Sequence, residues 1–182
     1  MTTVSAITAV ALLRQQLKQA QEFLKMTLND VTPEQAHWAP PGTANPLGAT
    51  YAHLTIGEDA FVNGMLKRSA PLAAGSWASK VGVSEPPPPP FPPKPWDEWG
   101  RRVQVDLGAL SQYGQAVFAA TDDYLASLVD ADLSAPIDLS AVGLGQQTLA
   151  WVISNGVLGH RLSHWGEVSC LKGLQGAKGF PF

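Results

Sequence analysis

The chain has 182 residues and a formal net charge of −3, with acidic and basic residues scattered along it. This length suits one domain with a well-buried core, so residues 1–182 are predicted to form a single domain. The scattered charge offers no surface for nucleic acid or an anionic membrane, and no apolar run is long enough to span a bilayer.

The cysteine content indicates the compartment. Cys170 is the single cysteine and cannot form an internal disulfide, and the first residues lack the features of a secretory signal. We therefore expect a soluble, cytoplasmic protein. No signature of a nucleophile surrounds Cys170, which is interpreted as a quiet, partly buried thiol.

The first part of the chain carries a helical pattern without site residues. Apolar residues at helical spacing predict an amphipathic first helix over about residues 5–29. Thr32, followed by Pro33 and Gln35, is typical of an N-cap and predicts a further short turn. His37 follows in a predicted loop and is interpreted as a surface or packing residue.

The second predicted helix spans about residues 45–68, with Pro46 at its first position. His53 lies about a quarter-turn from the apolar stripe, beside small residues. Those small residues either let another helix pack closely or leave room for a metal, and the spacing does not separate the two. Glu58 falls within the apolar stripe, where an unpaired carboxylate is costly to bury, so we expect it to have a partner.

A proline-rich crossover follows the second helix. Seven of the eight residues from Pro86 to Pro93 are proline, which favours an extended polyproline II conformation. We interpret the run as a stiff spacer between helices two and three rather than as a ligand for an SH3-type groove.

The third predicted helix runs from an N-cap at Asp97 to about Ser127 and carries no predicted chemistry. Residues 129–147 contain turn residues and a short alternating pattern, which predicts a loop with a short extended piece. Thr148 is expected to cap the fourth helix, which should end near Gly176.

The fourth helix carries two histidines, His160 and His164, four residues apart. Residues at this spacing stand one above the other on a helix, so both imidazoles can reach one metal ion. Their face also carries the apolar residues Ile153, Val157, Val168 and Leu171, so the pair should point inward. Glu167 lies at the edge of this face, where it can contact a metal or the water of a ligand. The alternative is that these histidines are ordinary core residues, since the spacing also arises by chance.

Four helices joined by loops and a long crossover predict an all-α four-helix bundle, in which inward side chains of facing helices build metal sites. His53, the one histidine of helix two, is the natural third ligand beside His160 and His164. Three neutral imidazoles suit Zn²⁺ or Ni²⁺ and leave a coordination position for water or substrate. Metal affinity should then fall as the pH drops through about 6.5, the usual histidine pKa.

Two stretches, NPLGATYAHLTIGEDAFVNG and GHRLSHWGEVSCLKGLQGAKGFPF, resemble the DinB-like (YfiT-like) superfamily of metal-dependent enzymes. The resemblance implies an up-down-down-up bundle that is often homodimeric. It also implies a metal site formed by His53, His160 and His164. Its members include thiol-dependent S-transferases and isomerases, and hydrolases.

The main functional hypothesis is therefore an enzyme that acts on a small molecule, such as a low-molecular-weight thiol, through metal-activated water or a metal-activated thiol. Glu167 and Glu58 are the candidate catalytic bases or hydrogen-bond orienters. Arg161 is interpreted as a solvated residue rather than an anion contact. The alternative hypotheses are a non-catalytic bundle that binds a metal or small ligand in a stress response, and a bundle whose histidines only pack.

Overall fold

The computed structural model describes residues 6–88 and 94–182. Within these two stretches the chain is mostly helical, with a small antiparallel sheet. The helices are α1 (Ala9–Leu28), α2 (Pro33–His37), α3 (Leu47–Asp59), α4 (Lys94–Arg102), α5 (Leu107–Ala126), α6 (Leu149–Trp151) and α7 (His160–Leu174), and the strands are β1 (Pro136–Leu139) and β2 (Gly145–Thr148). Wider π-helical turns extend α3 over Ala60–Leu66 and join α6 to α7 over Val152–Gly159.

Side-chain caps fix where the early helices begin. Thr8 accepts a hydrogen bond from the backbone N–H of Ala11, so α1 begins at Ala9, and residue 5 of the predicted helix lies outside the described residues. Thr32 caps α2 as predicted, and its own N–H donates to the side chain of Gln35, which completes a capping box. The second predicted helix is confirmed as α3 with its π turns, one residue later at its start than expected.

The prediction of one uninterrupted third helix is wrong. Asp97 lies inside α4 rather than at its cap, and Asp106 caps a separate helix, α5. Val105 lies between them, where it forms an antiparallel bridge with Val83, and its N–H donates to Nε2 of His37 at 2.8 Å. Because these contacts use the backbone of Val105, the helix cannot continue through it.

The crossover is held against the helices before the proline run. Both carboxylate oxygens of Asp59 accept backbone hydrogen bonds from the crossover, from Leu72 and Ala73 at 2.9 Å each. Gly82 has φ +85°, and a Cβ there would lie 2.5 Å from the backbone nitrogen of Leu110, so the chain passes close to α5. Residues 89–93 of the run lie outside the described residues, and its polyproline conformation stays a prediction.

The segment predicted as a loop with an extended piece forms a hairpin. β1 pairs with β2 in an antiparallel register that places Ile137 opposite Gln147. Thr148 then caps α6, as predicted, by accepting a hydrogen bond from the N–H of Trp151. The hairpin therefore leads directly into the last helical stretch of the chain.

The long helices pack around two apolar clusters. α1 contacts α5 and α7, and α3 contacts the same two helices. One cluster includes Leu24, Tyr51, Val117 and Val168, and the other includes Leu17, Val62, Leu125 and Ile153. The four long helices also contribute buried polar residues that bond to one another, and these are Gln21, Glu58, Thr121 and Arg161.

No helix in the described part of the chain is long and apolar enough to cross a membrane.

Candidate metal centre

Three histidines from two helices meet at one point. His53 comes from α3, and His160 and His164 come from the first two turns of α7. Nε2 of His160 lies 3.3 Å from Nε2 of His53 and 2.9 Å from Nε2 of His164. The predicted convergence of the three rings is confirmed.

The spacing of these nitrogens fits a shared divalent ion. All three ligand atoms lie within 4.8 Å of one another. Two nitrogens that bind a tetrahedral zinc at about 2.0–2.1 Å are roughly 3.3 Å apart, close to the separations seen here. Three neutral imidazoles also match the donor set of catalytic zinc sites, in which a fourth position stays open.

Glu167 orients one of the rings. Its Oε2 lies 2.5 Å from Nδ1 of His164, and since a carboxylate only accepts, the ring donates Nδ1–H. In the neutral ring this leaves the lone pair on Nε2, which faces His160. This hydrogen bond also lowers the pKa of the Glu167 carboxyl, against the opposing effect of burial. Such carboxylate–histidine pairs fix the tautomer and direction of metal ligands.

The environment keeps two of the rings neutral. Burial lowers the pKa of His53 to about 4, with a smaller contribution from the neighbouring His164. Burial also lowers the pKa of His160 to about 3, helped by His164, His53 and the cation of Arg161. Both rings therefore present a lone pair to a metal at neutral pH.

A cavity of about 240 Å³ opens beside the histidines. Its lining comes from Asn45 in the loop before α3, and from α3, α4 and α7. Its walls are Asn45, Ala49, Thr50, His53, Trp96, Asp97, Trp99, Gly100, His164 and Glu167. A ligand in this cavity can reach the point where the three histidines meet.

Trp96 and Trp99 form an aromatic wall of the cavity, here called the tryptophan wall. No chemistry was predicted for the third helix, so the sequence did not point to this wall. Trp96 packs edge-on against His53, with 4.8 Å between ring centroids, and against Trp99 at 5.1 Å. Trp99 is buried, and its Nε1–H donates to the backbone carbonyl of Glu85. Two tryptophans beside an acidic residue in a short helix were the available signal.

The small residues near His53 have different roles. A Cβ on Gly57 would lie 3.9 Å from Cε1 of His160, an ordinary contact, so Gly57 gives the histidines limited extra room. A Cβ on Gly64 would lie 3.6 Å from Pro71, well along the chain from the site. Of these two glycines, Gly57 is therefore the one that lies near the histidine rings.

Glu58, the second candidate base, lies in a separate buried cluster and does not line the cavity. It forms an ion pair with Arg161 and accepts a hydrogen bond from Thr121 at 2.8 Å. The expected partner of Glu58 is thus an arginine. The interpretation of Arg161 as solvated is wrong, because the residue is 4% exposed and also donates to Gln21.

The structure also shows where Cys170 and His37 lie. Cys170 is exposed on α7, not partly buried as expected. His37 ends α2 and has a packing role, as expected, since it accepts the hydrogen bond from Val105.

Replacing Glu167 with glutamine should lower the affinity for Zn²⁺ about 10–100-fold, the usual effect of losing a group that orients a ligand. Glutamine cannot hold the Nδ1–H of His164 as strongly as a carboxylate does. Competition titrations against a chromophoric chelator measure the change. Glu22, an acidic residue of α1 outside the cavity, provides the control, and an E167Q affinity equal to that of E22Q would contradict the orienting role.

The metal-free protein should lose stability as the pH falls below 6.5. Unfolded histidine has a pKa near 6.5, whereas the folded values are about 4 for His53 and about 3 for His160. Between these limits the unfolded chain binds protons that the folded chain does not, so the free energy of unfolding falls as protons are added. Urea unfolding across this range measures the slope.

The matched control is the His53→Gln/His160→Gln variant, whose slope should be flatter over the same range. An equal slope would show that other groups cause the pH dependence. The lowered pKa values of His53 and His160 also move the expected loss of metal affinity to lower pH. Protons compete with the metal at these two rings only well below pH 6.5.

Comparisons with known proteins identify a family and a similar fold. The family model of the DinB superfamily matches residues 16–168. The fold is similar to that of a conserved protein from Enterococcus faecalis, with a TM-score of 0.76 and 22% sequence identity over 92% of this chain and 96% of that chain. No curated protein matches the chain significantly.

Proposed function

Because the chain belongs to the DinB superfamily, whose members are generally metal-dependent, we propose that it is a divalent-metal-dependent enzyme acting on a small molecule. The observation that carries this proposal is the convergence of Nε2 of His53, His160 and His164 beside an open cavity. Zn²⁺ or Ni²⁺ is the proposed ion, since both accept imidazole ligands.

The three histidines would hold the ion by their Nε2 atoms. When bound, it would supply Lewis-acid activation of water, for hydrolysis, or of a thiol, for S-transfer. The chain's own residues do the remaining work. Glu167 fixes the tautomer of His164, and the rings of Trp96 and Trp99 form one side of the cavity.

Glu167 is also the better placed of the two candidate bases. It lines the cavity and remains largely exposed, so it can exchange a proton with a bound substrate. Glu58 is held by Arg161 and Thr121 inside the protein. We therefore assign Glu58 to the structure rather than to the reaction.

The open cavity favours an enzyme over a non-catalytic metal-binding protein. A storage or structural site is closed by protein side chains, whereas catalytic sites keep a position for water or substrate. Here the rings of His53 and His164 form part of the cavity wall, so a ligand can approach them.

We also propose an up-down-down-up four-helix bundle. One apolar cluster contains residues near the start of α1 and near the ends of the α3 π turns and α5. Residues that precede α7 complete the same cluster. This arrangement supports parallel α1 and α7, with α3 and α5 running in the opposite direction.

We propose that the protein is cytoplasmic and forms a homodimer. Leu162 and Leu174 are exposed apolar side chains at separate places on the last helix, and a second copy would cover at least one of them. Light scattering of the purified protein measures the mass. A monomer at micromolar concentration would contradict this part of the proposal.

The function is tested by elemental analysis of protein purified without a histidine tag. We expect one divalent ion per chain, removable by a chelator and restored by Zn²⁺ or Ni²⁺. The reloaded protein is then assayed with thiols plus electrophiles and with ester and amide substrates. Failure to retain any divalent ion at neutral pH would overturn the proposal.

A further inference from the structure

We propose that the cavity beside the histidines selects a substrate carrying a protonated amine, which binds between Trp96 and Asp97 while another group of the substrate reaches the metal position. This inference rests on the proposed metal-dependent function and names the substrate class of that site. The amine end lies on α4, and the metal end lies on α3 and α7.

The first observation is the aromatic wall. Trp96 and Trp99 both line the cavity, and their rings meet edge to face at 5.1 Å. Trp96 also lies beside His53, so this wall begins at the metal position. Tryptophan is the aromatic side chain that attracts a cation most strongly.

The second observation is the polar part of the lining. Among the described side chains that line the cavity, the charged groups are the carboxylates of Asp97 and Glu167, and there is no lysine or arginine. Glu167 is already hydrogen-bonded to His164, which leaves the exposed carboxylate of Asp97 as the group that can pair with a cationic ligand. An ammonium group matches both the charge and the ring faces.

The cavity lining also includes Asn45, which lies against Gly100 and adds an amide to the polar part of the wall.

The size of the cavity limits the ligand. Pockets for drug-sized ligands measure about 300–1,000 Å³, and this one is about 240 Å³. The substrate, or the part of it that enters, is therefore a short molecule with an amine at one end and a metal-binding group at the other.

The experiment uses three short thiols as probes: cysteamine, 2-mercaptoethanol and mercaptoacetate. They carry a positive, a neutral and a negative end, and a thiolate binds an open Co²⁺ position whether or not the natural substrate is a thiol. Protein loaded with Co²⁺ is titrated with each probe, and the sulfur-to-cobalt charge-transfer band gives the Kd. The thiols differ in acidity, so their Kd values are not compared directly. The measured quantity is the change in the ratio of two Kd values from the wild type to a variant.

In Asp97→Asn we expect the preference for cysteamine over 2-mercaptoethanol to fall by up to about fivefold, the range for an exposed ion pair, because the contact with Trp96 remains. The charge-reversed Asp97→Lys should shift the preference towards mercaptoacetate. Glu98→Gln is the matched control, since Glu98 is the exposed neighbour that does not line the cavity, and its ratios should equal those of the wild type.

The outcomes separate the two proposals. If the wild-type protein binds no Co²⁺, the proposed function fails and this inference fails with it. If Co²⁺ and the thiols bind but the ratios are the same in the wild type, Asp97→Asn and Asp97→Lys, only the amine proposal is overturned. A wild-type preference for mercaptoacetate that survives in Asp97→Asn would assign the cavity to anions instead.

Discussion

Replacing His160 with alanine is expected to lower the affinity for a divalent ion by more than about a hundredfold, since losing a group that only orients a ligand already costs about 10–100-fold. Nε2 of His160 lies between the other two ligand nitrogens, at 3.3 Å from His53 and 2.9 Å from His164. Without it, the two remaining nitrogens come from different helices and have no common neighbour. Competition titration with Zn²⁺ and a chelator measures the loss, and circular dichroism checks the fold.

His37→Gln is the control for this experiment. His37 is the remaining histidine of the chain and serves in packing, through its hydrogen bond from Val105. Its replacement should leave the metal stoichiometry at one per chain, even if it lowers the melting temperature. Equal metal content in wild type and His160→Ala would show that the histidines only pack.

Replacing Arg161 with methionine should lower the free energy of unfolding by about 3–5 kcal/mol, the usual cost of removing one member of a buried ion pair. Arg161 and Glu58 are both nearly inaccessible, with side chains 5% and 2% exposed. Methionine removes the cation and leaves the carboxylate of Glu58 with Thr121 as its remaining partner. Urea unfolding of the metal-free protein measures the change.

The surface ion pair between Arg14 and Asp122 provides the matched control. Arg14 contacts both carboxylate oxygens of Asp122, at 2.7 and 2.9 Å, but the two side chains are 39% and 35% exposed. Arg14→Met should cost about 0–1 kcal/mol, as exposed pairs do. In Arg161→Met/Glu58→Gln, part of the lost stability should return, because no unpaired charge stays buried. Equal costs for Arg161→Met and Arg14→Met would contradict the role of the buried pair.

This pair also explains how the three histidines come to meet. Glu58 follows His53 on α3, and Arg161 is next to His160 on α7, so their ion pair joins the same two helices that carry the candidate ligands. Gln21 of α1 accepts a hydrogen bond from Arg161, and Thr121 of α5 donates one to Glu58. Buried polar contacts of this kind are best known for fixing the register of packed helices.

Features that depend on residues close together in the chain could be predicted from the sequence alone. The spacing of His160 and His164 follows from the helical period, and the buried apolar face around them is set by the same period. Thr32 and Thr148 were identifiable as caps because a cap bonds to backbone only a few residues away. The family resemblance and the third histidine followed from such local patterns.

Contacts between segments that are far apart in the chain became evident in the folded structure. The break before α5 arises because Val105 meets His37 and Val83, neither of which is near it in sequence. The burial of Arg161 depends on Glu58, and the tryptophan wall depends on where α4 lies against α3. Helical periodicity fixes which residues share a face, but the partner of that face is chosen by packing across the whole chain.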